Sequence, residues 1–202
     1  MIHPHTELRF INEEVGHGVV ATQLIPKGTI TWVLDKLDRE LSPHEVDAME
    51  PAYQELIDIY AYRNGKGNFI LCWDHARFVN HSFRSNCLTT AYDFEIAIRD
   101  IQPGEQLTDD YGYLNISSPF RAASEGTKRK VVYPDDTLKY HRTWDKKVSD
   151  AFKHIRKHHQ PLLHLLSPSQ HQAIEGVLEG YHPMESILTT YYYPQNGLGS
   201  TH

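Results

Sequence analysis

Residues 77–82 read RFVNHS, and residues 104–113 read GEQLTDDYGY. Asn80 and His81 in the first segment offer hydrogen-bond donors and acceptors side by side, which suits recognition of the edge of a heterocycle. A polar turn whose side chains satisfy nearby backbone groups is the alternative interpretation. The second segment ends in two phenols, Tyr111 and Tyr113, which can position a ligand by hydrogen bonding or pack as an aromatic pair.

A third segment precedes both of these, and residues 16–29 read GHGVVATQLIPKGT. Gly16 and Gly18, on either side of His17, allow the backbone to approach a ligand without obstruction by a Cβ atom. A plain turn is the alternative. No strand, turn and helix follow in the order that a dinucleotide-binding fingerprint requires.

Outward from these segments, the chain up to about residue 118 is typical of a mainly β domain. The apolar and β-branched runs predict strands within residues 8–35 and over residues 57–63, 69–72 and 92–98. Ser42, Pro43 and Glu45 predict one brief helix, which could continue until Pro51 interrupts it. Glycine- and proline-containing turns separate the strands, at residues 26–28, 64–67 and 103–104.

The remainder, residues 119–202, is predicted to be a linker and a helical region that packs on the β domain. Residues 117–130 are polar and basic, which is typical of a linker. A helix is predicted from residues 135–137 to about His159, and a second helix begins at Ser167-Pro168 and stops at Gly180. Residues 196–202 are expected to fray. One face of the first helix is apolar, through Trp144, Val148, Ala151, Phe152 and Ile155.

Charge is distributed unevenly along the chain, whose net charge is −6. Residues 1–120 carry nine Lys and Arg against eighteen Asp and Glu, whereas residues 121–160 carry eleven against five. An acidic body does not favour nucleic acid as a partner, but it can attract a lysine-rich protein or peptide. An ordinary solvated acidic surface is the alternative.

Other sequence features narrow the protein class. No run approaches the roughly 18 apolar residues of a membrane span, so no membrane partner is expected. The first residues lack the pattern of a secretory signal. Two cysteines, Cys72 and Cys87, cannot form a disulfide scaffold or a thiolate zinc cluster alone. The expected compartment is intracellular, with the cytoplasm as the default and the nucleus or delivery to a host cell as open alternatives.

Taken together and in this order, the three segments resemble the SET domain, a family of S-adenosylmethionine-dependent protein-lysine methyltransferases. The resemblance covers about residues 8–114. It implies a mainly β fold with some α structure, namely the SET-domain β-clip with a knot-like closing segment. In this chain an α-helical C-terminal extension is expected to follow the β-clip. It also implies methyl transfer from S-adenosylmethionine, which becomes S-adenosylhomocysteine, to a lysine amine of a histone or another basic protein.

The resemblance also implies roles for individual residues. Tyr111 matches the catalytic tyrosine, and its expected task is to orient the amine rather than to ionise. The expected lysine channel contains Tyr60, Tyr62, Asp109 and Tyr113. The expected cofactor-binding residues are Gly16, His17, Gly18, Tyr60, Arg77, Phe78, Asn80 and His81.

Several departures from the family pattern leave alternatives open. His17 replaces an aromatic residue that relatives often carry between the two glycines. Asp109 stands where relatives carry Phe or Tyr, and its carboxylate either meets the substrate lysine or points to solvent. No downstream cysteine cluster exists, so no zinc is expected, and Cys87 is interpreted as a core thiol. The C-terminal aromatics, namely Trp144, Tyr140 and Tyr191 to Tyr193, either close the channel or only pack the helices.

Three further hypotheses remain. A catalytically weak SET-fold module could bind a lysine-rich partner without methylating it. Residues 121–160 could instead dock on nucleic acid or an acidic partner. His154 and His158, four residues apart on the predicted helix, could chelate a metal, although no third ligand is evident.

Overall fold

The computed structural model describes residues 1–194, so the segment predicted to fray, residues 196–202, lies outside the described residues. Over this described range the chain folds into short strands and four α-helices. The helices are α1 (Pro43–Asp47), α2 (Pro51–Tyr60), α3 (Asp136–Phe152) and α4 (Pro168–Leu178). The strands are β1 (Thr6–Asn12), β2 (Gly16–Ala21), β3 (Ile30–Val33), β4 (Arg39–Leu41), β5 (Ala61–Arg63), β6 (Phe69–Leu71), β7 (Asn80–His81), β8 (Cys87–Thr89), β9 (Phe94–Ala97), β10 (Thr108–Asp109), β11 (Phe120–Arg121) and β12 (Val131–Val132).

These strands form small sheets, most of them antiparallel. β1 pairs with β2, β9 lies between β3 and β8, β6 lies between β4 and β5, and β11 pairs with β12. β7 and β10 are parallel, with Asn80 opposite Thr108 and His81 opposite Asp109. This pairing brings the closing segment of the domain beside the central one. The knot-like threading implied by the resemblance stays a prediction.

The turns and helix starts that depend on local chemistry lie where the sequence predicts them. Gly28 and Gly104 adopt positive φ angles of 88° and 85°, which glycine tolerates without strain. Ser42 caps α1 and Ser167 caps α4, and each forms a capping box with the residue three positions later. The predicted hairpin between β5 and β6 is also present.

The strand predicted over residues 57–63 is wrong in its first half. Residues 51–60 form α2, and Pro51 begins this helix instead of interrupting one. Proline suits the first helical position because that residue needs no hydrogen-bonded N–H. Ile57 and Ile59 suggest a strand, but Tyr53, Leu56 and Ile57 also follow helical spacing.

The helix predicted to reach His159 ends at Phe152, and Ile155 belongs to a separate 3₁₀ turn. Gln160 explains the early end, because it anchors the returning chain beside β3. Its side-chain oxygen accepts from the N–H of Ile30 at 2.8 Å, and its amide donates to the carbonyl of Gly28 at 2.9 Å. The predicted apolar face is buried.

Residues 117–130 are also more ordered than a linker. Phe120 and Arg121 of this segment pair with Val132 and Val131, which directly follow it, and form a two-stranded hairpin. The segment therefore folds back against the β part of the chain and does not simply connect two regions.

One hydrophobic core joins the β part of the chain to the C-terminal helices. Buried side chains of β3, β8 and β9 lie in the same cluster as buried side chains of α3 and α4, among them Phe94, Trp144, Phe152 and Ile174. A second core, lined by Val19, Ile25, Cys87 and Leu107 among others, lies within the β part alone. Within residues 1–194, no helix combines the length and apolar character of a membrane span.

Candidate active site

The opening and central segments meet at Asn80. Its side-chain amide donates to the carbonyl oxygen of His17 and to Oε1 of Gln106, both at 3.1 Å. A Cβ atom on Gly18 would lie 2.8 Å from that amide nitrogen and 2.5 Å from Oε1 of Gln106. Gly18 is therefore required for this close approach. Gly16 has no such neighbour, and its positive φ of 71° serves the hairpin between β1 and β2.

Aromatic rings extend from this meeting point toward α2. The rings of His17 and Phe78 are 6.3 Å apart, and those of Phe78 and Tyr60 are 5.2 Å apart, in both cases edge to face. The guanidinium of Arg77 lies 5.3 Å from the centre of the Phe78 ring. The predicted cofactor-binding residues thus form a continuous group.

Tyr111 is held by the central segment at two points. Its hydroxyl donates to the carbonyl oxygen of Val79 at 2.6 Å, and its backbone N–H donates to Nδ1 of His81 at 3.2 Å. Both contacts follow from the parallel pairing of β7 with β10, which places residue 111 just beyond His81. The phenol therefore has a fixed direction.

A cavity of about 440 Å³ lies in front of this tyrosine. That volume is within the usual range for ligand pockets. Five residues predicted for the site line it: Tyr60, Tyr62, Arg77, Asp109 and Tyr111. The other predicted cofactor residues lie beside the cavity and connect to it through the contact of Phe78 with Tyr60.

The phenols of Tyr62 and Tyr111 are neutral at physiological pH. Burial raises the pKa of Tyr111 and that of Tyr62 above the ordinary value of 10, and nearby carboxylates raise both further. A tyrosine that keeps its proton can donate or accept a hydrogen bond but cannot act as a base. Tyr111 is therefore suited to positioning.

Three carboxyl groups line the cavity: that of Asp58, which is exposed on α2, and those of Glu95 and Asp109, which are less exposed. Asp109 is only 5% exposed, so the alternative that it points to solvent is wrong. Burial raises the pKa of Asp109 to about 6 and that of Glu95 well above its ordinary value, and each lies near the other. Sequence reasoning missed Glu95, because its neighbours Phe94 and Ile96 face the core and alternation places it on the opposite side.

Tyr113 does not line the cavity, so its predicted place in the channel wall is wrong. It is 2% exposed, and its ring packs edge-on against Trp144 with ring centres 5.5 Å apart. Residues 111–113 form a 3₁₀ turn, so the two phenols point in different directions. The hydroxyl of Tyr113 lies near Asp109 without a hydrogen bond of acceptable geometry.

The outer wall of the cavity comes from the segment just after this turn. Residues 114–118 and Phe120 line it. The Phe120 ring lies 5.6 Å from that of His81 and 6.2 Å from that of Tyr111. The C-terminal aromatics, namely Tyr140, Trp144 and Tyr191 to Tyr193, are not among the lining residues, and Trp144 packs in the core.

Arg129 ties the segment after Tyr111 to helix α3. Its guanidinium donates to both carboxyl oxygens of Asp110 and, at 2.6 Å, to Oδ2 of Asp136. The guanidinium carbon lies 4.4 Å from the ring centre of Tyr140 and 4.7 Å from that of Phe83. The sequence shows Arg129 only as one cation in a basic run, so this role was not predicted.

The histidine pair predicted as possible metal ligands is not on one helix. His154 and His158 flank the 3₁₀ turn that follows α3. Among residues 1–194, no three histidine, cysteine, aspartate or glutamate side chains come together in a way that could hold a metal ion. Cys87 is a buried free thiol within the core, as the sequence predicts.

Comparison with known proteins agrees with this arrangement. The family model for the SET domain matches residues 16–112, a range that runs from the glycine pair to the turn carrying Tyr111. No curated protein matches the chain by sequence. The structure adds mostly small antiparallel sheets together with helices, as expected for this family. Residues 16–112, just under half of the 202-residue chain, are therefore similar to the SET domain family.

Proposed function

We propose that this protein is a protein-lysine N-methyltransferase that transfers a methyl group from S-adenosylmethionine to a lysine amine of a basic protein. One observation carries the proposal: the hydroxyl of Tyr111, bonded to the carbonyl of Val79 at 2.6 Å, stands at a cavity that Tyr60, Tyr62 and Arg77 also line. The glycine pair and Asn80 lie alongside. The acidic residues of this region suit a basic substrate.

The residues present fit a bound cofactor. Nδ1 of His81 accepts a backbone hydrogen bond, and burial lowers the pKa of this imidazole, so Nε2 carries the proton. That Nε2 is buried and has no partner among residues 1–194. A buried donor without a partner is costly, and a polar ligand atom would relieve it. Gly16, His17, Gly18, Asn80 and His81 would hold the cofactor, with Tyr60, Arg77 and Phe78 beside it.

S-adenosylmethionine, when bound, would supply an electrophilic methyl group. The protein must then present a neutral amine along the right line. Tyr111 contributes by orientation, since its bond to Val79 fixes the phenolic oxygen and leaves the lone pairs of that oxygen free to accept from the amine. Positioning of this kind can contribute about 7–11 kcal/mol in well-oriented model reactions.

The amine must also lose its proton, because a free lysine has a pKa of about 10.4. The aromatic side chains of Trp32, Tyr60, Tyr62 and Phe69 form part of the cavity wall. Burial disfavours a charged ammonium, so these walls lower the pKa of an enclosed lysine. The aromatic walls therefore favour the reactive, neutral form, whereas the acidic side chains of the same cavity attract the ammonium.

The replacement of Tyr111 with phenylalanine tests this proposal. We expect transfer of labelled methyl groups to a pool of basic proteins to fall by about 100-fold or more, because a misplaced reactant loses that much rate. Cofactor affinity, measured by calorimetry, should stay within a few-fold of the wild type. Tyr133→Phe is the matched control, since Tyr133 is exposed and does not line the cavity.

A near-normal rate in Tyr111→Phe would remove the assignment of this residue. Transfer to no protein by the wild-type chain, despite tight cofactor binding, would favour the binding-module hypothesis instead.

A further inference from the structure

Glu95 and Asp109 project into the cavity from two different strands. Glu95 lies on β9 and Asp109 on β10, and the two carboxyl groups are close enough to share a hydrogen bond when one of them is protonated. Asp109 is 95% buried, and its Oδ1 has no partner among the described residues. A deeply buried acid side chain beside a cavity, short of donors from the protein, can be stabilised by a donor that a ligand supplies.

No cation of the protein neutralises this pair within residues 1–194. Arg63 and Arg77 also line the cavity, but neither forms an ion pair with Glu95 or Asp109. The guanidinium of Arg63 stacks on Phe69 at 4.7 Å, and that of Arg77 lies over Phe78. Buried charges are normally paired, so an acid pair of this kind lacks its partner.

The surroundings of the pair favour one shared proton. Burial raises the pKa of both carboxyl groups. Asp109 raises the pKa of Glu95 further, and the amino group of Met1 opposes this. For Asp109, contacts with Tyr113 and Glu95 lower the pKa, whereas Asp110 raises it. Like charges in a shared site cannot both ionise easily. The pair therefore holds one proton more readily than two separate carboxyl groups would.

We propose that Glu95 and Asp109 together form a receptor for the ammonium group of the incoming lysine and accept the proton which that group must lose. This inference rests on the proposed function, because it assumes that a lysine enters the cavity. The pair stands in the same cavity as Tyr111, so the nitrogen that it binds lies within the region where the phenol positions the amine.

The proton step is balanced by the two groups alone. One N–H bond of the ammonium breaks, its electron pair stays on nitrogen, and the proton forms an O–H bond with the unprotonated carboxyl. A positive and a negative ion become a neutral amine and two neutral carboxyl groups. Burial favours this direction, because it penalises both ions at once. The carboxyl returns its proton to water after the product leaves.

The test uses the full 202-residue chain and two small probes of equal heavy-atom number, n-butylammonium and n-butanol. Binding is followed by ligand-observed NMR at pH 7.5 in the wild type and in Glu95→Gln and Asp109→Asn. We expect the wild type to prefer the ammonium over the alcohol, and both variants to lose at least about 10-fold in ammonium affinity. Alcohol affinity should change little.

Asp93→Asn is the matched control, because it removes the same charge two residues from Glu95 and outside the cavity lining. Asp93 is exposed and has a φ of 57°, a conformation that asparagine also tolerates. The control should keep the wild-type preference. An unchanged preference in both acid variants, or no ammonium preference in the wild type, would overturn the receptor.

The proton step has its own readout in the pH dependence of labelled methyl transfer. In Asp109→Asn we expect a larger loss of rate at pH 7 than at pH 9.5, where more lysine is already neutral. Equal losses of rate at pH 7 and pH 9.5 would overturn the proposal that the acid pair accepts the lysine proton. Ammonium binding without transfer to any basic protein would support the receptor and count against the proposed function, so the two failures are distinguishable.

Discussion

Replacing Asp109 with asparagine should stabilise the protein at neutral pH, although it removes a residue of the candidate site. The side chain is nearly fully buried, Oδ1 has no donor of acceptable geometry, and Asp110 adds negative charge nearby, so that the pKa of Asp109 stays raised although contacts with Tyr113 and Glu95 lower it. Ionised Asp109 is therefore unfavourable in the folded state. Asparagine has almost the same shape, carries no charge and can donate a hydrogen bond to Glu95.

The magnitude follows from the pKa. Burial raises the pKa of Asp109 from 3.8 to about 6, so the folded state binds the proton more tightly than the unfolded state. Stability is then lost as the pH rises from the unfolded to the folded pKa. The loss amounts to about 3 kcal/mol at pH 7.5 and about half of that at pH 5.

The assay is thermal unfolding of the wild type and of Asp109→Asn at pH 7.5 and pH 5. For a chain of this size, about 3 kcal/mol corresponds to a rise in Tm of about 6–12 °C at the higher pH. The rise should be about half as large at pH 5. Asp58→Asn is the control, because Asp58 is exposed on α2 and its removal should change Tm little.

Two results would refute this reasoning. An unchanged or lower Tm of Asp109→Asn at pH 7.5 would show that the ionised carboxyl is not penalised in the folded state. A gain of equal size at both pH values would show that the effect comes from packing and not from the charge.

Other substitutions test the remaining contacts. Arg129→Ala should lower the free energy of unfolding by about 3–5 kcal/mol in urea titrations, because it leaves the buried carboxylates of Asp110 and Asp136 uncompensated. Arg142→Ala is the control, because Arg142 is exposed. An equal loss in the control would contradict the structural role of Arg129. Gly18→Ala should weaken S-adenosylmethionine binding by about 10-fold or more in calorimetry, since the added methyl group would displace Asn80. An unchanged affinity would show that the contact between Gly18 and Asn80 does not contribute to cofactor binding. Phe120→Ala should raise KM for basic proteins in steady-state assays more than it lowers kcat, because it opens the outer wall of the cavity. An unaltered KM would show that Phe120 does not contribute to substrate binding.

Much of the site could be predicted because its parts are marked by unusual local chemistry. The glycine pair, the Asn80-His81 pair and Tyr111 are rare combinations, and parallel pairing of β7 with β10 brings them together. Turns were predictable for a similar reason, since Gly28 and Gly104 occupy conformations that other residues avoid.

The rest depends on contacts between distant parts of the chain. Glu95 reads as a solvent-facing strand residue until β10 covers that side, and Arg129 reads as a linker cation until Asp110 and Asp136 meet around it. The start of α2 was missed because Ile57 and Ile59 favour a strand locally, whereas packing decides for the helix.

The core shared by the β part and the helices has a practical consequence for producing this protein. The family match ends at residue 112, yet a shortened chain stopping near residue 118 would leave Ile30, Leu88 and Phe94 without the cover of Trp144 and Phe152. Exposed apolar surface of that kind promotes aggregation. We expect such a fragment to accumulate as insoluble material when expressed, so the β part of the chain cannot be produced without the C-terminal helices.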